Sequence, residues 1–268
     1  MADGIRSGTD VHRIRALGGY ELEAPTGDHI GKHLSRGKPY EPWVLRIASA
    51  LTPTGGTFVD VGAHIGNHTV YMARSGAEVV AVEPHPETFR LLRANIARNG
   101  VAGSVRAINV ACGADHSRGT ATVPNKSNTG SATVTVGEGP IKVVTVDSLG
   151  AEADVLKIDV EGSEGAVLTG AVETLRSFRP AIICERHSGD LDVILRPLGY
   201  RRIGGSFAAS PTYLYVARRG HLVAALLWVA AHRMHSLARW AATRALRPLL
   251  RARLRTRSRG AGGEGVLA

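Results

Sequence analysis

The sequence predicts a doubly wound α/β domain, with a mostly parallel sheet, helices on both of its faces and a terminal antiparallel hairpin. Three observations predict it. Apolar runs of strand length alternate with amphipathic stretches of helix length from about Thr57 to Cys184, the pattern of strands buried on both faces and joined by crossover helices. Phe58-Val-Asp-Val-Gly-Ala-His-Ile-Gly-Asn67 runs from a buried strand through an acid and a glycine-spaced turn into a helix. An apolar fraction of 44% with only 5% aromatics suits helices packed closely on a sheet better than a β-sandwich. The 268 residues suffice for one full-sized core with appendages: a lead-in over 1–56, the main domain over 57–219 and a tail over 220–268.

The elements follow in order. Residues 1–56 show little periodicity apart from a short helix over Pro42 to Leu51. Strands are expected at Thr57 to Ala63, Glu78 to Glu83, Val105 to Cys112, Val155 to Val160 and Ala181 to Glu185, and helices at Asn67 to Arg74, Pro86 to Asn99 and Ser163 to Phe178. Asn99-Gly100 and Arg179-Pro180 close the last two helices, because glycine tolerates the left-handed cap and proline cannot continue the ladder. The stretch Gly113 to Leu149 interrupts this alternation. Ala121 to Val123 and Ala132 to Val136 have the β-branched alternation of a hairpin with its tip at 125–130, followed by an extended Ile141 to Val146; at a strand-end face such a long insertion suits a substrate wall. Tyr200 to Ile203 and Tyr213 to Ala217 make the terminal hairpin.

The net charge of +10 is unevenly spread. Residues 1–217 hold 22 Lys plus Arg against 22 Asp plus Glu, whereas 218–259 carry 11 Arg and no acid. A neutral body argues against a phosphate-tracking groove, so no nucleic-acid partner is expected. In the tail, Leu222 to Ala231 is too short an apolar run to span a bilayer, and Arg233, Arg244, Arg247, Arg251 and Arg255 fall toward one side of a helix bearing Leu237, Trp240 and Leu254. A basic amphipathic helix over 221–257 suits an anionic membrane surface or an acidic partner, and Arg251 to Gly265 has the composition of a frayed terminus. Met1 to Asp10 is polar and acidic, without the apolar core of a signal peptide, and Cys112 and Cys184 sit in apolar runs without zinc-ligand spacing. A cytoplasmic location, with peripheral contact at the inner face of the membrane through the tail, is the expectation.

Three motifs carry the chemistry. In the first turn, Gly62 and Gly66 let the backbone approach a ligand, and the helix start behind them offers unpaired N–H donors. The spacing is D-x-G-x-x-x-G rather than the dinucleotide fingerprint G-x-G-x-x-G, which counts against an NAD-linked oxidoreductase. Glu83 ends the second strand 17 residues past Gly66, where a carboxylate can accept both hydroxyls of a ribose. The fourth strand ends in Lys157-Ile-Asp159-Val-Glu161, whose i, i+2, i+4 spacing puts three charges on one face. Such charges are costly to bury unless they act on a ligand or form a Lys/Asp network.

Together these pieces resemble the FkbM-type methyltransferases: Asp60-Val-Gly-Ala-His-Ile-Gly66, Glu83-Pro-His-Pro86 with its helix to Asn99, Asn109-Val-Ala111, Thr145-Val-Asp-Ser-Leu149 and Lys157-Ile-Asp-Val-Glu-Gly-Ser-Glu164, with Leu168 to Gly170 behind. The order is kept over roughly residues 40 to 187, and the Tyr40-Glu41 pair is similar to the family's lead-in. The resemblance implies a Rossmann-like methyltransferase fold, S-adenosylmethionine as donor and O-methylation of a sugar or other natural-product hydroxyl. By position it implies that Asp60, Gly62 and Gly66 hold the cofactor's methionine end and Glu83 its ribose, that Asn109 to Ala111 lie near the adenine, and that Glu41, Ala63, His64 and Asn67 also contact the cofactor. His64 stands where the family usually has Asn; both accept a left-handed turn.

Methyl transfer to a hydroxyl requires alignment and a proton acceptor, and the candidates are Asp159, Glu161 and His187. No metal is required, although Asp159 and Glu161 are hard oxygen ligands of the kind Mg²⁺ takes. The acceptor would be a small molecule or glycan with a free hydroxyl. The rival from another class is a non-catalytic binding module acting through the Arg-rich tail on RNA, lipid or an acidic partner.

Overall fold

The computed structural model describes residues 11–15, 19–25, 29–35, 40–122, 133–185, 190–204 and 211–230. The chain divides into two units, Met1–Ala225 and Leu226–Ala268, and every numbered element below lies in the first. Strands β1 (Val11–Arg15) and β2 (Glu21–Pro25) and helices α1 (His29–Ser35) and α2 (Pro42–Leu51) precede the main sheet. The main alternation is β3 (Thr57–Val61), α3 (Asn67–Arg74), β4 (Glu78–Val82), α4 (Pro86–Arg98) and β5 (Val105–Ile108). After the insertion strands β6 (Ala111–Cys112), β7 (Ser117–Thr122), β8 (Thr133–Val136) and β9 (Ile141–Val144) come β10 (Ala153–Ile158), α5 (Glu164–Thr169), α6 (Val172–Ser177) and β11 (Ala181–Glu185). Helix α7 (Asp192–Leu195) and strands β12 (Arg201–Ile203) and β13 (Thr212–Val216) complete the series.

The seven-stranded sheet has the order β12-β13-β11-β10-β3-β4-β5. The five strands from β11 to the β5 edge are parallel, and β13 slots antiparallel between β11 and β12 as the terminal hairpin. The order reverses between β3 and β10, so the crevice beyond their C-terminal ends is the topological switch point where open α/β sheets bind ligands. Val59, Val61, Leu156, Ile158, Val167, Leu168 and Ile182 are fully buried in the core that fixes this crevice. Both cysteines are buried and unpaired by disulfide.

The structure departs from the sequence expectation in four places. Val11–Arg15 and Glu21–Pro25 pair as antiparallel strands rather than forming an irregular lead-in, and Ile14, Leu22 and Ala24 pack with Ile65, Val70 and Leu91. Asn95 of α4 clips the pair down: its amide donates to the carbonyls of Glu23 and Ile65 while its oxygen accepts from Glu23 N. The single strand expected at Val105 to Cys112 is broken at Asn109, whose amide donates to the carbonyls of Glu83 and Pro84 at 2.8 and 3.0 Å. The chain then leaves the main sheet, and β6 joins a separate four-stranded sheet of order β6-β9-β7-β8, so the insertion is more than a hairpin. The helix expected at Ser163 to Phe178 is two helices, because a Cβ on Gly170 would lie 2.1 Å from the carbonyl oxygen of Gly113 and the segment must turn there. Val123, Ala132 and the expected tip at 125–130 lie outside the described residues, as does the tail beyond 230. Residues 219–230 are helical, and no described helix is long and apolar enough to cross a membrane.

Candidate active site

Parallel pairing places Lys157 of β10 directly opposite Asp60 of β3. The lysine Nζ lies 3.2 Å from Asp60 Oδ1 and 3.2 Å from Asp159 Oδ2, and it donates to the carbonyl of Gly62 at 3.4 Å. Asp60 is completely buried, and its second oxygen accepts from the Thr69 hydroxyl at 2.7 Å. Burial by itself would lower the lysine's proton affinity, but Asp60, Asp159 and Glu41 outweigh it and hold Lys157 charged. For Asp159 burial opposes ionisation, yet Lys157 and a hydrogen bond with Glu185 pull its carboxyl below the usual range. The charges therefore form an ion-paired network whose members fix one another's ionisation, with Asp60 Oδ1 held by the charge of Lys157. Of the two readings of the strand-end charges, the Lys/Asp network is what these contacts show.

The turn from β3 to α3 is held by close backbone approach and by two distant side chains, Glu83 on His64 N and Asn95 on the Ile65 carbonyl. Gly62 has φ +84, and a Cβ there would stand 1.8 Å from the carbonyl oxygen of Asp159. The glycine is thus demanded by the close approach of two strand ends, a different reason from the ligand clearance expected of it. Gly66, at φ +93, would likewise press a Cβ 2.7 Å from Leu92 Cδ1. His64 takes the left-handed conformation at φ 50, and its N–H donates to Glu83 Oε2 at 3.0 Å. The other Glu83 oxygen accepts from His85 N at 2.9 Å. Each oxygen keeps a second lone pair for a ligand hydroxyl. Burial pushes the Glu83 carboxyl up to about 7, against the pull of the His85 and His64 amides.

From the N-terminal side, Glu41 reaches the same cluster. Its Oε2 lies 3.4 Å from His68 Nε2, with both side chains about nine-tenths buried. At this distance a charged pair would be a salt bridge. Burial works against that, lowering His68 to about 3, helped by Lys157, and raising Glu41 to about 7, helped by Asp159. The contact is therefore between a neutral imidazole and a carboxyl group. Asn67 is pinned at both ends, accepting from the Tyr20 hydroxyl at 2.9 Å and donating to the Tyr40 carbonyl at 3.5 Å.

Of the residues singled out in the sequence, the structure brings Glu41, Asp60, Gly62, Ala63, His64, Gly66, Asn67, Glu83 and Asp159 to the ends of β3, β4 and β10. Asn109 stands beside them as a peg on the Glu83 carbonyl, while the Ala111 side chain is buried with Ile141 and Val143 in the core of the second sheet. Glu161 does not continue the alternation of Lys157 and Asp159: β10 stops at Ile158, and Glu161 sits past it at φ 49, half-buried. His187 lies outside the described residues. Sequence reasoning missed His68, Thr69 and Glu185. The available signal was the polar triplet Asn67-His68-Thr69 opening a helix that must pack against the sheet. Among the described residues no three His, Cys, Asp or Glu side chains are grouped to hold a metal ion.

The Methyltransferase FkbM domain family model matches residues 60–202, more than half of the chain. The hexuronic acid methyltransferase AglP of Haloferax volcanii is 34% identical over 154 residues, covering 54% of this chain and 62% of that protein. The ribosomal protein L11 methyltransferase of Pelotomaculum thermopropionicum is 43% identical over 65 residues, 24% of this chain and 21% of that one. The chain thus spans less than two thirds of the length of either curated relative. Among solved structures, methyltransferase FkbM of Methylobacillus flagellatus aligns with a TM-score of 0.46 at 19% identity, covering 60% of this chain and 43% of that one.

Proposed function

The chain belongs to the FkbM methyltransferase domain family, and from that premise we propose that it transfers a methyl group from S-adenosylmethionine to a hydroxyl oxygen of a sugar or related acceptor. The observation that carries this reading is the register-locked set Asp60, Lys157 and Asp159 beside Glu83 at the switch point. The residues fit the donor. Glu83 is oriented by two backbone amides with lone pairs to spare for the ribose hydroxyls. Glu41, Asp60, Glu83 and Asp159 outnumber the one buried cation, Lys157, around the place a sulfonium would occupy. The donor supplies a methyl group already activated for attack, so the protein has to bind it, orient the acceptor oxygen and receive a proton.

The acceptor reading is supported by chemistry on two sides. AglP, similar over half of this chain, is named for hexuronic acid, a sugar that offers hydroxyls and a carboxylate. The acidic lining disfavours an incoming carboxylate and suits a neutral hydroxyl. Calorimetric titration with S-adenosylmethionine and S-adenosylhomocysteine should give saturable binding that Glu83→Ala weakens at least tenfold, about 1.4 kcal/mol. Tritiated methyl transfer to glycosides of hexuronic acids and of neutral hexoses should then yield an alkali-stable ether. No binding by the folded protein would overturn the reading, and an alkali-labile methyl ester would move the acceptor atom from hydroxyl to carboxylate.

A further inference from the structure

Asp159 is the obvious strand-end carboxylate for the proton step, but its surroundings make it a poor base. Lys157 at 3.2 Å and the hydrogen bond with Glu185 stabilise its ionised form and so weaken its hold on a proton. Glu41 differs in each respect. It sits at the N-terminus of α2 in the left-handed region, φ 48 and ψ 53, a conformation that non-glycine residues rarely hold without a reason in the surroundings. A glutamate placed there could cap its own helix, but this one makes no side-chain cap. It turns instead into the cluster, against His68 Nε2. That nitrogen is buried and has no hydrogen-bond partner among the described residues, a costly arrangement unless a donor arrives at some stage.

We propose that Glu41 takes the proton from the acceptor hydroxyl and that His68 Nε2 then accepts the hydrogen bond of the resulting carboxylic acid. The inference rests on the methyltransferase reading above and adds its proton acceptor, which lies upstream of the matched residues 60–202. In the balanced step the O–CH3 bond forms as the S–CH3 bond breaks, and sulfur keeps the electron pair of the broken bond. The hydroxyl proton moves to a Glu41 carboxylate oxygen. A sulfonium and a carboxylate thereby become a thioether and a carboxylic acid, so the buried site loses one charge of each sign together. A neutral His68 suits its part, because an imidazole protonated on Nδ1 has a lone pair on Nε2. Burial keeps it neutral across the working range, and burial also gives Glu41 a proton affinity matched to neutral pH.

Glu41 is faced by ionisable groups from each element packed against α2: His68 on α3, Lys157 of β10 with Asp159 beyond its end, and Glu185 at the end of β11, with Asp60 behind them and Tyr40 adjacent in sequence. A pH effect therefore has to be assigned to the residue itself. The test uses the full chain, with S-adenosylhomocysteine as cofactor probe and p-nitrophenyl glucuronide as acceptor probe. Carbon-13 carboxyl resonances of the S-adenosylhomocysteine complex should contain, apart from any resonance of Glu83, a glutamate titrating near pH 7 that disappears in Glu41→Gln and persists in Glu83→Gln. Methyl transfer should rise with pH through the same midpoint. Glu41→Gln should lower turnover about 100-fold or more and remove that rise, while S-adenosylhomocysteine affinity stays within twofold of the parent and certifies the fold. A Glu41 carboxyl titrating below 5 overturns the proposal, as does retained turnover or a parallel loss of cofactor affinity, which would make Glu41 a cofactor ligand. If the acceptor probe is not turned over, the carboxyl titration alone decides; failure of the parent protein to bind S-adenosylhomocysteine would instead overturn the methyltransferase reading.

Discussion

The two ends of the parallel sheet carry similar residues in opposite states. At the C-terminal ends of β3, β4 and β10, Asp60, Glu83 and Lys157 are all at most 5% exposed and are bonded to one another or to backbone amides. At the N-terminal ends, Glu78, Glu152 and Arg106 are exposed to solvent, and a cavity of about 430 Å³ lies among them. There Asp154 accepts from Thr57 N at 3.0 Å and pairs with the half-exposed Arg218 at 3.5 Å. Both ends have acids and a cation, and one has a sizeable hollow, so neither charge count nor cavity size distinguishes them. Burial of the charges does: the ionised groups at the C-terminal end are held away from water, which costs free energy and marks that end as the candidate site.

The comparison can be broken by removing the buried cation. Lys157→Met leaves Asp60 and Asp159 without compensation and should cost about 3–5 kcal/mol of unfolding free energy at pH 7 by urea titration. A loss under about 1 kcal/mol would mean that the C-terminal end is as well solvated as its opposite. Proton linkage gives a second, smaller handle. Glu83 and Glu41 each bind a proton more tightly folded, at about 7, than unfolded, at 4.5. Their contribution is full below about 4.5 and is lost as pH rises from 4.5 to 7, on the order of 3 kcal/mol for each. His68, lowered to about 3 from 6.5, has the opposite sign, and between 4.5 and 6.5 it offsets one of the two glutamates. Stability of the ligand-free protein should therefore fall from pH 4.5 to 7 and level off above, and in Glu83→Gln the fall below 6.5 should largely disappear; a flat profile in the parent protein would show that burial does not raise these carboxyls. The smallest effect belongs to the other end of the sheet. Glu152→Gln should change stability by less than about 0.5 kcal/mol at any of these pH values.

What could be read in the sequence followed the same division between local and distant causes. Helices α2 and α3 and strand β11 have the bounds their residue patterns imply, because cap residues, periodicity and fully buried apolar runs are local properties. Asp60, Glu83 and Asp159 stood out for a similar reason: an acid at the end of an apolar strand is conspicuous. The β1–β2 pair did not, since its short, polar strands become stable only against α4, 72 residues away at the Asn95 clip. Nor did the break between α5 and α6, which Gly170 makes against Gly113 in another part of the chain. His68 and Thr69 were hidden because polar residues in a helix ordinarily face water, whereas the first turn of α3 faces buried charge.

The Asn95 clip also sets an order of events during synthesis. The β1–β2 pair is made first, yet the amide that fastens it is added 72 residues after Glu23, roughly 4–14 s later at the usual pace of translation. A two-stranded hairpin alone is marginal in water, and for that interval Ile14, Leu22 and Ala24 have only Leu34, Ile65 and Val70 to cover them and lack Leu91 of α4. The nascent chain thus offers an apolar face to cellular chaperones until α4 emerges, and Tyr40 and Glu41 can be seated only after that wait has ended.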